Sequence, residues 1–216
     1  MMRKYLASAL LFLVPVVPLN VQPVFAAGDT TALSAEDQNK EAFKEFEKIL
    51  DLTGETDRAA ILPQLETGYL DIIKHYPLSH LAQESCWRLM TLYLADFNPP
   101  AYAKAEGVRA EFIRKYPDSK MRGLIDRTLA ESYHKNEQWE KLLVFYTPSV
   151  RQSVETGKFP RALDIFMYAE AKFGLNDIVE AEKGYKIVVA NFPKSREGLF
   201  AAKRLEEIQT LKSKKP

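Results

Sequence analysis

Three segments of this 216-residue chain align on an aromatic residue followed by proline, and this internal repeat restricts the possible folds more than any other feature. The pairs are Tyr76-Pro77, Tyr116-Pro117 and Phe192-Pro193, separated by 40 and 76 residues, the second interval being about two repeats. A serine lies two residues after each proline. Because proline ends a helix and serine is a preferred N-cap, each unit is predicted to be a helix, a Pro-x-Ser turn and a second helix.

A two-helix unit of this size cannot bury its apolar stripe alone, so neighbouring units must stack on one another. We therefore expect an all-α fold, a superhelical solenoid of antiparallel helix pairs with about nine helices. Ser34 is predicted to be the N-cap of the first helix, and the stretch from Tyr146 to Ser149, which contains Pro148, predicts a further boundary between helices.

The amino-terminal residues have the pattern of a secretory signal peptide. Arg3 and Lys4 precede a short apolar stretch, and the small residues Val24 and Ala26 predict cleavage after Ala26. The alternative is an uncleaved anchor, but the apolar run is shorter than a spanning helix needs and is interrupted by proline. The predicted organisation is a signal peptide at 1–26, a flexible lead-in at 27–33, an N-terminal capping helix at 34–57 and a helical repeat domain at 58–213.

The composition adds no sign of a ligand that binds through charge alone. Lys and Arg number 30 against 29 for Asp and Glu, so no overall field favours nucleic acid or a membrane surface. We expect the mature protein to be periplasmic or secreted, without stable membrane insertion once the signal is cleaved. The single cysteine, Cys86, has no partner within the chain and is predicted to be a small buried side chain.

Two stretches of the sequence resemble the tetratricopeptide repeat (TPR) family. LAESYHKNEQWEKLLVFY follows the pattern, and YAEAKFGLNDIVEAEKGYKIVVANFP follows it better, with Ala169 and Ala181 at the small positions where paired helices touch. The Tyr-Pro-x-Ser punctuation is similar to that of bacterial envelope members, such as the outer-membrane barrel-assembly lipoproteins and a periplasmic cell-division coordinator, although this chain lacks the lipidated cysteine. The resemblance implies a TPR-like superhelical solenoid that binds a partner on its concave face.

The resemblance also implies which residues line that face, because first-helix residues one turn from the small contact position point into it. They are Trp87, Thr91, Arg127, Glu131, His134, Phe166, Glu170 and Phe173. Aromatic residues and arginine dominate binding energy at interfaces, so Trp87, Arg127 and Phe166 are the first candidates. For Trp87 and Phe166, a core position and a groove position are equally open. Trp139 is predicted to pack between helices.

The sequence contains no motif for catalysis, for a metal or for a cofactor. The histidines at 75, 80 and 134 lack the spacing of a zinc site, and there is neither a Gly-x-Ser-x-Gly elbow nor a glycine-rich phosphate loop. Glu66, Glu106 and Glu182 share one column of the repeat, so they are predicted to be register residues on solvated helix faces.

These observations favour a non-enzymatic scaffold of the cell envelope, a protein–protein interaction module that binds an envelope protein or an extended peptide. The alternative is an envelope protein that binds or processes peptidoglycan or another glycan, since tryptophans and carboxylates are common sugar-contacting residues. No cofactor and no metal are expected in either case.

Overall fold

A computed structural model describes residues 33–55 and 57–213, so the predicted signal peptide and almost all of the predicted lead-in lie outside the described residues. The described residues form nine α-helices and contain no strand, which confirms the all-α class. The helices are α1 (Ala35–Glu55), α2 (Arg58–His75), α3 (His80–Thr91), α4 (Tyr102–Lys115), α5 (Arg122–Lys135), α6 (Trp139–Thr156), α7 (Ala162–Gly174), α8 (Ile178–Asn191) and α9 (Arg196–Ser213). A π-helical extension, Leu92–Asp96, continues α3.

The Pro-x-Ser turns form as the repeat predicts. In the first turn, the backbone N–H of Tyr76 closes α2 on Ile72 O at 3.0 Å, and Ser79 Oγ accepts the N–H of Leu81 at 3.1 Å. In the second, Ser119 Oγ accepts the N–H of Met121 at 3.1 Å. In the third turn, the serine at the equivalent position, Ser195, caps the start of α9 with its hydroxyl. The turn is therefore a local device that the chain uses three times.

Ser34 caps α1 as predicted, because the N–H of Asp37 donates to its Oγ at 3.1 Å. Helix α1 then packs against α2 and α3. Its Gln38 side chain is 2 % exposed, and Gln38 Oε1 accepts the N–H of Leu78 at 2.9 Å. This helix is therefore joined to the first Pro-x-Ser turn by a buried amide as well as by apolar packing.

The boundary predicted around Pro148 is wrong. Helix α6 runs through Pro148 to Thr156 and ends instead at Gly157, whose φ of 65° is the left-handed conformation that glycine adopts without strain. Both Pro148 and Val144, one turn earlier, are exposed. The carbonyl that proline leaves without a donor therefore faces solvent, which lowers the cost of an internal proline.

The helices form two rows, odd-numbered and even-numbered, that differ in which other helices they contact. Each helix packs against the next in sequence, and the odd-numbered helices also contact one another in the series α1, α3, α5, α7 and α9. Among the described residues, the backbones of the even-numbered helices do not approach one another in this way, and only long side chains connect them, such as Lys104 of α4 to Glu66 of α2. Connections between successive helices are short, which makes successive helices antiparallel and the odd-numbered helices parallel to one another.

Small residues occur where successive helices approach most closely. Ala169 and Ala181 are fully buried, and a Cβ atom added to Gly184 of α8 would lie 2.7 Å from Ala169 Cβ of α7. Trp139 packs between helices as predicted, since its indole lies directly against Gly174 of α7. Cys86 is 2 % exposed, which confirms its predicted burial.

Candidate functional site

A cavity of about 740 Å³ opens between α5, α7 and α9, and we call it the groove. Its walls carry aromatic and aliphatic side chains together with charges of both signs. The lining residues are Arg127, Glu131 and His134 of α5; Leu163, Phe166, Met167 and Glu170 of α7; and Arg196, Glu197, Phe200, Lys203, Arg204 and Glu207 of α9. The spacing on α5, 127, 131 and 134, is that of a single helix face.

The inner end of the groove is closed by a buried carboxylate and its donors, His134, Tyr185 and Arg204, which we call the Glu170 cluster. Glu170 is 4 % exposed. Its Oε1 accepts Tyr185 Oη at 2.6 Å and Arg204 Nε at 2.9 Å, while Oε2 lies 3.0 Å from both His134 Nε2 and Arg204 Nη2. The two bonds from Arg204 form a bidentate pair, the strongest arrangement for this ion pair. The cluster therefore joins α5, α7, α8 and α9 through a single side chain.

Electrostatics keep this carboxylate ionised. Burial by itself would raise the pKa of Glu170, but the hydrogen bonds from His134, Arg204 and Tyr185 outweigh it and lower that pKa to about 2. Burial, followed by the adjacent carboxylate, raises the pKa of the Tyr185 hydroxyl, which stays a neutral donor. The hydrogen bond to Glu170 raises the pKa of Arg204 further. These charges satisfy one another within the protein.

The groove has a layered arrangement along the helix axes. The Phe166 and Phe200 rings meet with their centroids 6.4 Å apart, and four residues later on the same two helices Glu170 meets Arg204. Equal steps on both helices confirm that α7 and α9 run in the same direction. Aromatic rings therefore lie one turn, about 5 Å, from the Glu170 cluster.

Two arginines lie at the end of the groove away from the Glu170 cluster. Arg127 lies two turns before His134 on α5, and Arg196 lies two turns before Arg204 on α9, which places both about 10–12 Å from the cluster along the axes. Neither arginine forms an ion pair with a carboxylate of the described chain. Within the described residues, these two guanidinium groups therefore have no direct ion-pair partner.

Two glutamates elsewhere in the repeat resemble Glu170 in accepting hydrogen bonds from a tyrosine and a cationic side chain, but among the described residues each has only these two donors. Glu66 Oε1 accepts both Tyr93 Oη and Lys104 Nζ at 2.7 Å, and Glu106 Oε1 accepts both Tyr133 Oη and Lys141 Nζ at 2.6 Å. Each lysine belongs to the next even-numbered helix. The predicted role as register residues agrees with this recurrence, but the predicted solvated faces are only partly correct, because 22 % of Glu66 and 39 % of Glu106 is exposed.

The structure brings together six of the eight residues that the sequence selected. Five of them line the groove, and Phe173 lines a second cavity of about 560 Å³ on the other side of the Glu170 cluster. The other two, Trp87 and Thr91, lie on α3 and are absent from both linings. Trp87 Nε1 donates to Thr128 Oγ1 of α5 at 3.1 Å, so this tryptophan connects two odd-numbered helices. Phe166 is half-buried and has both roles, packing on Tyr185 and facing the groove.

Sequence reasoning missed the whole contribution of α9. A signal was present: Leu89, Leu129 and Leu205 share a repeat column, which makes α9 equivalent to α3 and α5. Carried to α9 through that column, the same first-helix rule would have selected Lys203 and Glu207, which both line the groove, but not Phe200 or Arg204. The sequence selected His134 for the concave face, but nothing in it indicated the contact with Glu170, against which His134 is half-buried.

Searches of the described residues give two further negative findings. No group of histidine, cysteine and carboxylate side chains within this part of the chain is arranged to hold a metal ion. Within the same residues, none of the helices combines the length and the apolar character that crossing a bilayer requires.

Comparisons of the chain with known protein families, with curated proteins and with solved structures found no match.

Proposed function

We propose that this protein is an exported, non-enzymatic scaffold: a TPR-like superhelical solenoid that binds an envelope protein or an extended peptide in the groove between α5, α7 and α9. The observation that carries this proposal is the groove itself. It combines a volume of about 740 Å³ with a half-exposed aromatic surface and with charges that have no partner inside the described chain. Apolar surface flanked by unpaired charge is the usual composition of a protein-binding site.

The contact pattern supports the solenoid part of the proposal. If the backbones of one row of helices approach more closely than those of the other row, the stack is shorter along the closer row and curves toward it. The odd-numbered helices are that row, so the groove between α5, α7 and α9 lies on the inner, concave side. The stacking also gives an extended ligand contact with several units in succession.

The buried carboxylate at the inner end of the groove is better suited to a structural role than to proton transfer. Glu170 is the most deeply buried carboxylate there, and its lowered pKa together with its four bonds makes it a poor proton donor or acceptor near neutral pH. In the groove it therefore acts as an anchor for neighbouring helices. We place the mature protein in the periplasm or outside the cell, on the basis of the amino-terminal sequence pattern.

The test is site-specific photocrosslinking in intact cells, followed by mass spectrometry of trapped molecules. Photoreactive side chains replace Arg127 and Phe200, which line the groove and are exposed, so the core remains unchanged. The control positions are Val144 and Arg151, both exposed on α6 and outside the groove.

The scaffold proposal predicts the same protein partner at both groove positions and none at the α6 positions. Equal trapping at all four positions, or no trapped protein at the groove, would refute it. Adducts to glycan at the groove positions alone would favour the peptidoglycan-binding alternative.

A further inference from the structure

Phe200 provides an exposed apolar surface at the centre of the groove. The side chain is 45 % exposed, although one edge packs against Phe166. Leu163 and Met167 of α7 line the same space. An exposed phenylalanine that is supported by other apolar residues provides a firm surface for one apolar side chain of a ligand.

Two cations flank this ring on the same helix. The guanidinium carbon of Arg196 lies 5.7 Å from the ring centroid, and Lys203 Nζ lies 5.8 Å from it. Neither makes an ion pair with any carboxylate that the structure describes, and the same is true of Arg127 across the groove. In contrast, Arg204 is committed to Glu170 and Glu207.

Two groove carboxylates also lack a cationic partner among the described residues, Glu131 and Glu197. Glu131 is exposed and stays hydrated. Glu197 lies in the first turn of α9, where the positive end of the helix dipole favours a carboxylate. Neither bonds to the cations beside Phe200. The charged groups found against the Phe200 ring are the cations Arg196 and Lys203, and the groove charges without an ion pair among the described residues are three cations, Arg127, Arg196 and Lys203, against two carboxylates, an excess of one positive charge.

We propose that the groove selects an internal polypeptide segment in which an apolar side chain is flanked by acidic residues. The apolar side chain packs on Phe200 and Phe166, and the flanking carboxylates pair with Arg196, Lys203 and Arg127. A ligand that covers the ring also removes water from these cations, and this desolvation is unfavourable unless the ligand supplies a counter-charge. A basic segment would bury like charges against each other, so the groove discriminates against it.

This inference rests on the proposed scaffold function and specifies its ligand. The probes are short fluorescent peptides with acetylated and amidated ends, which carry no terminal charge. Each has a central phenylalanine flanked on both sides by glutamate, by lysine or by glutamine. Fluorescence anisotropy measures the Kd of each peptide for the full mature chain at low and at high salt.

We expect the glutamate-flanked peptide to bind at least about tenfold more tightly than the lysine-flanked one at low salt, with the difference reduced at high salt. Phe200→Ala should weaken the glutamate-flanked peptide by about tenfold, since it removes the apolar surface. The double variant Arg196→Glu with Lys203→Glu should reverse the preference, so that the lysine-flanked peptide binds better.

The matched control is Arg151→Glu with Lys158→Glu, which changes the net charge equally at exposed positions outside the groove and should leave the preference unchanged. Circular dichroism verifies that each variant is folded. The reversal of preference protects the test against a variant that merely loses structure, because a misfolded chain would lose affinity for all peptides.

Equal binding of the three peptides, tighter binding of the lysine-flanked peptide, or an equal effect of the Arg151/Lys158 control would overturn the inference. If no peptide binds but crosslinking at 127 and 200 still traps a protein, the scaffold function stands and the ligand chemistry is wrong. If neither experiment gives a partner, both proposals fail. Binding of peptidoglycan fragments in place of peptides, abolished by Phe200→Ala, would also overturn the ligand assignment.

Discussion

Replacing Glu170 by glutamine removes the charge that joins four helices while it keeps the size and shape of the side chain. The variant leaves Arg204 without its buried carboxylate and places an amide against donors from His134 and Tyr185. We expect a folded protein of clearly lower stability.

The expected loss follows from two independent arguments. A pKa lowered from the ordinary 4.5 to about 2 corresponds to about 3 kcal/mol of native-state stabilisation. Removing one partner of a buried ion pair costs about 3–5 kcal/mol, and the lower end applies because 34 % of the Arg204 side chain is exposed and can be rehydrated. At pH 7 we therefore expect Glu170→Gln to lose about 3 kcal/mol, or about 6–12 °C in Tm for a chain of this size.

The pH dependence gives the sharper test. The folded-state pKa of Glu170 is depressed, so its contribution is complete above the unfolded-state value of 4.5 and is lost as the pH falls toward about 2. The stability difference between wild type and variant should therefore be constant from neutral pH to about pH 5 and should decrease steadily below that.

Urea unfolding of both proteins across this pH range, followed by circular dichroism, measures the difference directly. The control is Glu206→Gln, an exposed carboxylate on α9 whose side chain has no ion pair in the described structure; it should change stability by less than about 0.5 kcal/mol. A difference for Glu170→Gln below about 1 kcal/mol at pH 7, or one that is the same at pH 3 and pH 7, would refute the reasoning.

Three further predictions concern packing, the tyrosine contacts and the thiol. Gly198→Ala should lower the stability measured by thermal unfolding by about 1–3 kcal/mol, because the added methyl overlaps the carbonyl of Phe192. Gly107→Ala, with open space around it, should stabilise the protein by about 0.5–1 kcal/mol. Equal effects of the two substitutions would contradict the close approach at α9. Tyr133→Phe should lose about 1 kcal/mol in urea unfolding through its missing bond to the carboxylate on α4, and an unchanged midpoint would argue against that contact. Burial raises the pKa of the Cys86 thiol to about 12, so the native protein should resist a thiol reagent that reacts readily in urea; fast native labelling would contradict the burial.

Local rules in the sequence predicted most of the helical framework. The N-cap at Ser34 and the serines after the three prolines act within a few residues of the chain, so their effect can be inferred without knowing what packs nearby. Pro148 shows where a local rule failed. Its position on an exposed helix face made a break unnecessary, and exposure is a property of the packed structure.

The candidate site was only half predictable. The repeat register places Arg127, Phe166 and Glu170 on the equivalent faces of their helices, and they were selected for that reason. Phe200 was overlooked because the repeat register, carried to α9 through the Leu205 column, points to Lys203 and Glu207 instead. The outcome for Trp87 has the same origin: the register gave the correct face, but α5 packs over the indole, and Thr128 accepts its hydrogen bond.

The all-helical chain, the Pro-x-Ser turns and the small residues between helices could be predicted from the sequence, because each depends on neighbours along the chain. In contrast, the packing of the helices makes Glu170 an internal anchor and leaves Arg196 and Lys203 available beside Phe200. His134 and Arg204 are 36 and 34 residues away from Glu170, and nothing in their local sequence specifies that both donate to it. Whether a charge is neutralised inside a protein or left for a ligand depends on which helices stack together, and side chains from distant units meet only when the stack has formed.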